Sequence, residues 1–428
     1  MFQMTGHQRE NFWAIGAIAL VVFAVLSGVG EAAAAVKSKP DATYQTNGRV
    51  RAIAYAGGVV YIGGTFTSVR PPAAPLGSGE VARNRLAAFN ESTGALLPWN
   101  PNADGEVWSL AVTGQTVYTG GKFLNIGGQA RSRLAAIDAS TGAVKTWNPG
   151  ANGAVYAVRA GPSGNVFAGG AFTLVKGNGR KHLAEIRPDG TLTSWHPAVT
   201  QVSDTCPPRC SPFVSSLAFS NDGSALYFGG HFGLVEGIGR NNAAEVQLGS
   251  GSVLPWDPDV LGTGAGKNPN QANKVWEVEI GSDRAYICGD YWSLDGFQRH
   301  PNLAAVDLVN GNLLDEFTAT TDGNTPACRL REGLLYIGGH YQRAGPNSAW
   351  VFVPGQKATL TGTGSFKRDH FAAVDPVTGA IDAWAPSVNS TLGIHEITAG
   401  TQHLGIGGDF TKAGGVSQQG FAQFADSG

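Results

Sequence analysis

"YIGGTFTSV" at residues 61–69, "YTGGKFLNI" at 118–126, "FAGGAFTLV" at 167–175 and "YFGGHFGLV" at 227–235 are four versions of one segment within a single chain. An internal repeat of this kind decides the fold before any single motif does. Each unit carries four β-prone runs, and the second shows them in order: "VWSLAV" from Val107, "YTGGKF" from Tyr118, "RSRLAAID" from Arg131 and "STGAVKTWNP" from Ser140. Gly, Asn and Asp turns separate the runs, which predicts a four-stranded antiparallel blade.

Gly-Gly centres at Gly63, Gly120, Gly169, Gly229, Gly338 and Gly407, with Cys288-Gly289 filling the fifth slot, make seven units. The seventh stops at "GFAQFADSG" before any Trp segment. "ATYQTNGRV" at 42–50 aligns with that missing segment, with Tyr44 in the place of Trp147. The expected architecture is therefore all-β: a seven-bladed β-propeller of four-stranded antiparallel blades, its ring closed by the N-terminal strand pairing into the last blade. Closure of this kind leaves no open sheet edge. Residues 42–428 are then a single domain.

Composition agrees. The 428 residues include 61 glycines, ten tryptophans and ten tyrosines, and only 14% are charged, which suits short strands and tight turns. A formal net charge of −2, with no Lys/Arg cluster, excludes a general electrostatic attraction for nucleic acid. Residues 1–36 are different material. The uncharged run "FWAIGAIALVVFAVLSGVG" at 12–30 follows Arg9 and precedes "EAAAAVKS", which reads as an export signal cleaved near Ala34 or Ala35. The run is long enough to span a bilayer, so an uncleaved membrane anchor is the alternative. The expected location is the secreted fraction or the cell surface. Cys206 and Cys210 in "CPPRC" predict a disulfide in an oxidising compartment, the alternative being a CxxxC metal half-site.

Much of the repeat is architecture. Paired glycines let a neighbour approach closely, and aromatic residues fill the wedges between blades. Trp99, Trp147, Trp195, Trp256 and Trp384 recur once per unit as packing residues, with a sugar-stacking platform as the alternative. Arg83, Arg131, Arg180, Arg240, Arg299 and Arg368 are expected to bind loop carbonyls or acids.

The segments "YIGGTF" and "RNRLAAFNESTGALLPWNP", and their copies as far as "GIGGDF" at 405, resemble the delta-sixty-repeat type of exported bacterial β-propeller. That class is related in pattern to the propeller of fungal cortical cell-polarity markers. The resemblance implies the propeller fold over nearly the whole mature chain and carries no catalytic residues with it. Departures from the pattern are Cys288 for Gly, Tyr291 for Phe, "DEFT" at 315–318 for the Trp segment, and insertions after the first, fourth and sixth Gly-Gly segments.

There is no G-x-S-x-G elbow, no H-E-x-x-H pair and no phosphate-binding loop. The chain therefore reads as a non-enzymatic binding or protein-interaction scaffold whose partner is a protein or a cell-wall glycan. The alternative is a carbohydrate-active enzyme or a lectin working at the axial mouth. Candidate channel residues come from the third position of the V-x-x-L run: Ala52, Ser109, Ala157, Ser216, Glu277, Arg329 and Glu396. Glu277, Arg329 and Glu396 read as an ion network, or alternatively as an acid pair for glycoside chemistry. The residue after Gly-Gly runs His231, Asp290, His340 and Asp409 in the last four units. These are four candidate ligands for a divalent metal, the only cofactor considered, the alternative being local turn caps. Cys328 aligns with Trp108, Tyr156 and Trp276 as a wedge filler facing position 288, which predicts a Cys288–Cys328 disulfide, with two buried thiols as the alternative.

Overall fold

The computed structural model describes residues 36–201, 211–261, 273–294, 300–351 and 358–427. The expectations for the export signal or anchor, for Cys206 and Cys210 and for Arg299 lie outside these residues. Ala34–Gly428 forms one compact unit. It is all-β, built from small antiparallel sheets, and among the described residues the only helical turn is a 3-10 turn at Asn347–Ala349.

Seven of the sheets are the repeat units. Their first strands are Val50–Ala56, Val107–Thr113, Val155–Ala160, Phe213–Phe219, Lys274–Ile280, Ala327–Arg331 and Ile394–Ala399. Each pairs with the Gly-Gly strand, which pairs in turn with the "LAA" strand, as in Val59–Gly64 followed by Leu86–Asn90. A fourth segment joins by a single bridge, as between Phe89 and Leu96 or Ile137 and Val144. The first strand of each sheet packs against the first strand of the next, and Ile394–Ala399 packs against Val50–Ala56.

The fourth segment of the seventh sheet comes from the N-terminal end of the described chain. Val36 bridges Asp426, and the amides of Lys37 and Asp41 donate to Ala425 and Gln423 at 2.8 Å each. The donated stretch is thus 36–41, not 42–50 as the Tyr44 alignment implied. Gln45–Thr46 pairs instead with Ser68–Arg70 of the first unit. Tyr44 stacks on Phe89, so it docks on the first unit while residues 36–41 complete the seventh.

The core is distributed between consecutive sheets rather than gathered at one centre. One cluster, for example, joins Tyr61, Leu86 and Ala88 of the first unit to Val107, Leu110 and Ile137 of the second. Glycine keeps these faces close: a Cβ at Gly120 would stand 2.6 Å from Val155 Cγ1 and 3.1 Å from Val158 Cγ1 of the next unit. The recurring tryptophans are buried and reach across the same joints. Trp99, Trp147, Trp195 and Trp256 each donate Nε1–H to a carbonyl of the following unit, those of Asp138, Arg187, Gln247 and Asp307. In the fifth unit Phe317 takes this place, edge-on to Tyr286 at 5.6 Å. The arginines tie each unit to itself: Arg131 donates to the carbonyls of Ala130 and Lys145, and Arg180 to those of Gly179 and Thr193.

Cys288 and Cys328 form a disulfide, with Cα atoms 6.4 Å apart. The partner position differs from the expectation. In other joints the Gly-strand position meets an aliphatic residue, as Gly229 meets Val275 and Val278. Cys328 pairs with Ile337 and so occupies the register of Val278, which pairs with Ile287, and not that of Trp276. The reason is a β-bulge. Six first strands carry one extra residue, whereas the sixth, which begins after Pro326, runs without a register shift.

Candidate functional site

The bulged residues are Arg51, Trp108, Tyr156, Ser215, Trp276 and His395, one in each first strand except the sixth. A bulge leaves its residue out of the ladder, bends the strand and re-aims the side chain. Here the neighbours Val50, Val107, Val155, Val214, Val275 and Ile394 are fully buried, while all six bulged residues stay half-buried. All six line one cavity of about 260 Å³, joined by Pro326, the counterpart from the sixth unit. Trp108, Tyr156 and Trp276 are therefore cavity walls, which corrects their reading as inter-blade filler.

The cavity lining is chemically mixed. Trp108 stacks on Tyr156 with centroids 4.6 Å apart, Tyr156 meets Phe213 edge-on at 5.4 Å, and Phe213 stacks on Trp276 at 5.9 Å. This aromatic arc is pinned by polar contacts: Trp108 Nε1–H donates to Glu106 at 2.6 Å, and Arg51 and Lys122 lie 4.9 and 4.4 Å from the Trp108 ring centre. The lining also includes His395, His340, Asn324 and Glu396. Burial, reinforced by Arg51, pushes His395 down to about 4, so its imidazole is neutral near pH 7.

Beneath the bulged residues lie small side chains and two carboxyls: Ala52, Ser109, Ala157, Ser216, Glu277 and Glu396. Ser109 and Ser216 accept from the amides of Val158 and Val278, stitching neighbouring sheets. Arg329, expected at this level, sits two register positions further on. It pairs with Tyr336, as Arg159 pairs with Phe167 and Glu279 with Tyr286.

The three predicted channel residues do come together, with two partners the sequence reading missed. Arg329 bonds Glu279 at 2.8 Å and approaches Glu277 Oε1 at 3.9 Å, while Arg159 approaches the same oxygen at 3.7 Å. Glu396 accepts from Thr398 Oγ1 at 2.6 Å. Burial pushes Glu277 up to about 7 against the pull of both arginines, with Glu396 and Glu279 adding to the rise. Burial likewise raises Glu396 above the usual carboxylate range, against the Thr398 hydrogen bond. These contacts describe a half-buried ion network whose guanidinium groups already engage Glu277 and Glu279.

The four candidate metal ligands are not assembled. His231 Nδ1 is 2.9 Å from the Asn273 carbonyl, Asp409 accepts from Ser390 and Thr391, Asp290 is paired in register with Lys274, and His340 stacks on His370. Among the described residues no group of three or more His, Cys, Asp or Glu side chains could hold a metal ion. Equivalent positions on successive sheets are held by separate local partners, which is why the row His, Asp, His, Asp does not become a ligand set. Of the four, only His340 borders the cavity.

The bulged residues themselves left a signal in the sequence. They sit between an invariably aliphatic residue and a small or acidic one, and they vary without regard to size or charge. A repeat that tolerates Arg, Trp, Tyr, Ser and His at one position is not packing that position. No protein-family model matches the chain, and no curated protein matches it. Among solved structures, the chain is similar to the computationally designed Ika8 protein at 11% identity, over 91% of this chain and 100% of that one, with a TM-score of 0.49.

Proposed function

We propose that the chain is an exported, seven-bladed β-propeller of the delta-sixty-repeat type that works as a non-enzymatic binding module, secreted or at the cell surface, through the cavity of bulged residues. The observation that carries this reading is the convergence of one freely varying side chain from each repeat unit on a single concave site. Concave sites with a mostly apolar wall and a few placed polar groups are where proteins hold ligands. The propeller assignment is supported by the packing of each first strand on the next, including the seventh on the first. Pairing of residues 36–41 with the last sheet supports closure. Binding rather than catalysis is favoured because Glu277 is flanked by two arginines and Glu396 is tied to Thr398.

A photo-crosslinking amino acid at Leu392, an exposed residue lining the cavity, tests this in the full chain expressed in an exporting cell. The same probe at Val309, exposed and away from the cavity lining, is the control. Adducts specific to position 392 are expected. Adducts confined to Val309, or turnover of a glycoside abolished by Glu277→Gln, would replace the reading with an edge-binding scaffold or an enzyme respectively.

A further inference from the structure

The chemistry of the cavity walls narrows the ligand class, an inference that rests on the binding reading above. The charged side chains lining the cavity are Arg51, Glu277 and Glu396; burial raises both carboxyls and Arg159 and Arg329 lie against Glu277, so no strong surplus of negative charge faces a ligand. An incoming cation would meet aromatic faces that already carry cations: Arg51 and Lys122 on Trp108, and Lys274 5.5 Å from the Trp276 ring centre. That arrangement works against an ammonium cage, which needs an open π face. An incoming anion would face the carboxyls of Glu277 and Glu396, which already take up the nearby arginines and Thr398.

What remains is mixed hydrogen-bonding capacity beside an apolar wall. His395 Nε2 is buried with no hydrogen-bond partner among the described residues and its side chain lines the cavity, as does that of Arg51, a donor. Asn324 adds an amide with both a donor and an acceptor end. Orphaned polar atoms of this kind cost free energy unless a ligand or solvent satisfies them. A ligand that both donates and accepts around its rim, carries C–H groups to lie along the ring edges of Trp108, Tyr156 and Trp276, and bears no net charge fits all three conditions. At about 260 Å³ the cavity is smaller than the ~300–1,000 Å³ typical of drug-sized sites, which suits one ring residue rather than an extended chain.

We infer that the cavity binds a neutral pyranose residue of a glycan, with its hydroxyls toward Arg51, Asn324 and His395 and its C–H face toward the aromatic arc. The test is saturation-transfer NMR and calorimetric titration of the purified protein with neutral hexoses and N-acetylhexosamines, against a uronic acid and choline as charged probes, each at about 20 mM. Saturable binding of a neutral sugar is expected, weakened roughly fivefold by Trp276→Ala and by Arg51→Met at unchanged melting temperature. Saturation transfer to the sugar C–H protons in the native chain keeps the test decisive if Trp276→Ala fails to fold. Tighter binding of the uronic acid or of choline, binding indifferent to both substitutions, or no saturable binding of any neutral sugar would overturn the inference. Crosslinks at Leu392 combined with such a failure would sink the sugar while leaving the binding module standing. Absence of cavity crosslinks would sink the module itself.

Discussion

Cys288 is bonded to Cys328 across the joint between the fifth and sixth sheets, in the register where Gly229 meets Val278 one joint earlier. The repeat thus replaces a glycine-to-aliphatic contact with a covalent one at a single joint. The two cysteines are 40 residues apart, and the chain-entropy relation assigns such a closure about 4 kcal/mol. Cys288→Gly combined with Cys328→Val restores the pattern of the other joints. This double variant should fold and lose less stability than Cys288→Ala with Cys328→Ala, because it keeps the packing and forfeits only the cross-link. Denaturant midpoints of the two variants, with and without reductant, provide the comparison; equal midpoints would mean that the joint gains nothing from its packing register.

The close approach at the other joints predicts an asymmetry between glycines. Gly120→Ala pushes a methyl group to 2.6 Å from Val155 Cγ1 and should cost roughly 2 kcal/mol, the range of overpacked cores. Gly179→Ala meets nothing within 4 Å and lies outside the left-handed region, so it should be neutral or slightly stabilising through the unfolded state. Thermal melts of the two variants side by side check this.

Removal of residues 36–41 should destabilise the fold more than removal of an equal length of exposed loop. Val36 is fully buried, Lys37 and Asp41 donate to the last strand, and Asp41 also lies 3.3 Å from His403. The loss of one buried aliphatic residue and two backbone hydrogen bonds is roughly 3 kcal/mol. Hydrogen exchange at Phe421–Ala425 should rise together with the drop in melting temperature; unchanged protection there would refute the strand assignment.

The pH profile holds two opposed contributions. Glu277 is raised to about 7 in the folded protein by burial, against Arg159 and Arg329 and with help from Glu396 and Glu279. Its stabilising contribution is complete below the unfolded value of 4.5 and is lost as pH rises through 7, about 3 kcal/mol in all. His395 is lowered to about 4 by burial and by Arg51 and Arg49, against Asp409. Its contribution is complete above 6.5 and is lost as pH falls through 4. Between pH 4.5 and 6.5 the two slopes oppose each other. Relative to the native chain, Glu277→Gln should therefore gain stability as pH rises from 5 to 7.5, and His395→Gln should gain it as pH falls over the same span. Melting temperatures of the three proteins at both pH values decide this.

Much of the architecture could be read from the Gly-Gly segments, because a glycine pair beside two aromatics has few uses other than close sheet packing. The Cys288–Cys328 pairing was also legible, since a sulfur at a position reserved for glycine requires a partner that yields space. Its register was not. Aligning "PACRL" with "VWSLAV" assumes equal spacing, and a bulge changes spacing without leaving a gap in the sequence. The same unseen residue turned Trp108 and Trp276 from wedge filler into cavity wall and moved Arg329 away from the Glu277 level. Arg159 and Glu279 were missed for the same reason, since only the register reveals that their level carries the network.

Holding the bulge depends on the backbone ladder and on the buried aliphatic residue beside it, while the projecting residue contributes nothing to either. Selection can therefore edit the cavity one letter at a time while the glycine-to-aliphatic contacts at each joint stay in place. Paralogous chains built on this repeat are expected to share their valines and glycines and to differ in the residue that follows the valine. Reading those residues in order yields, for each chain, the chemistry of its cavity wall.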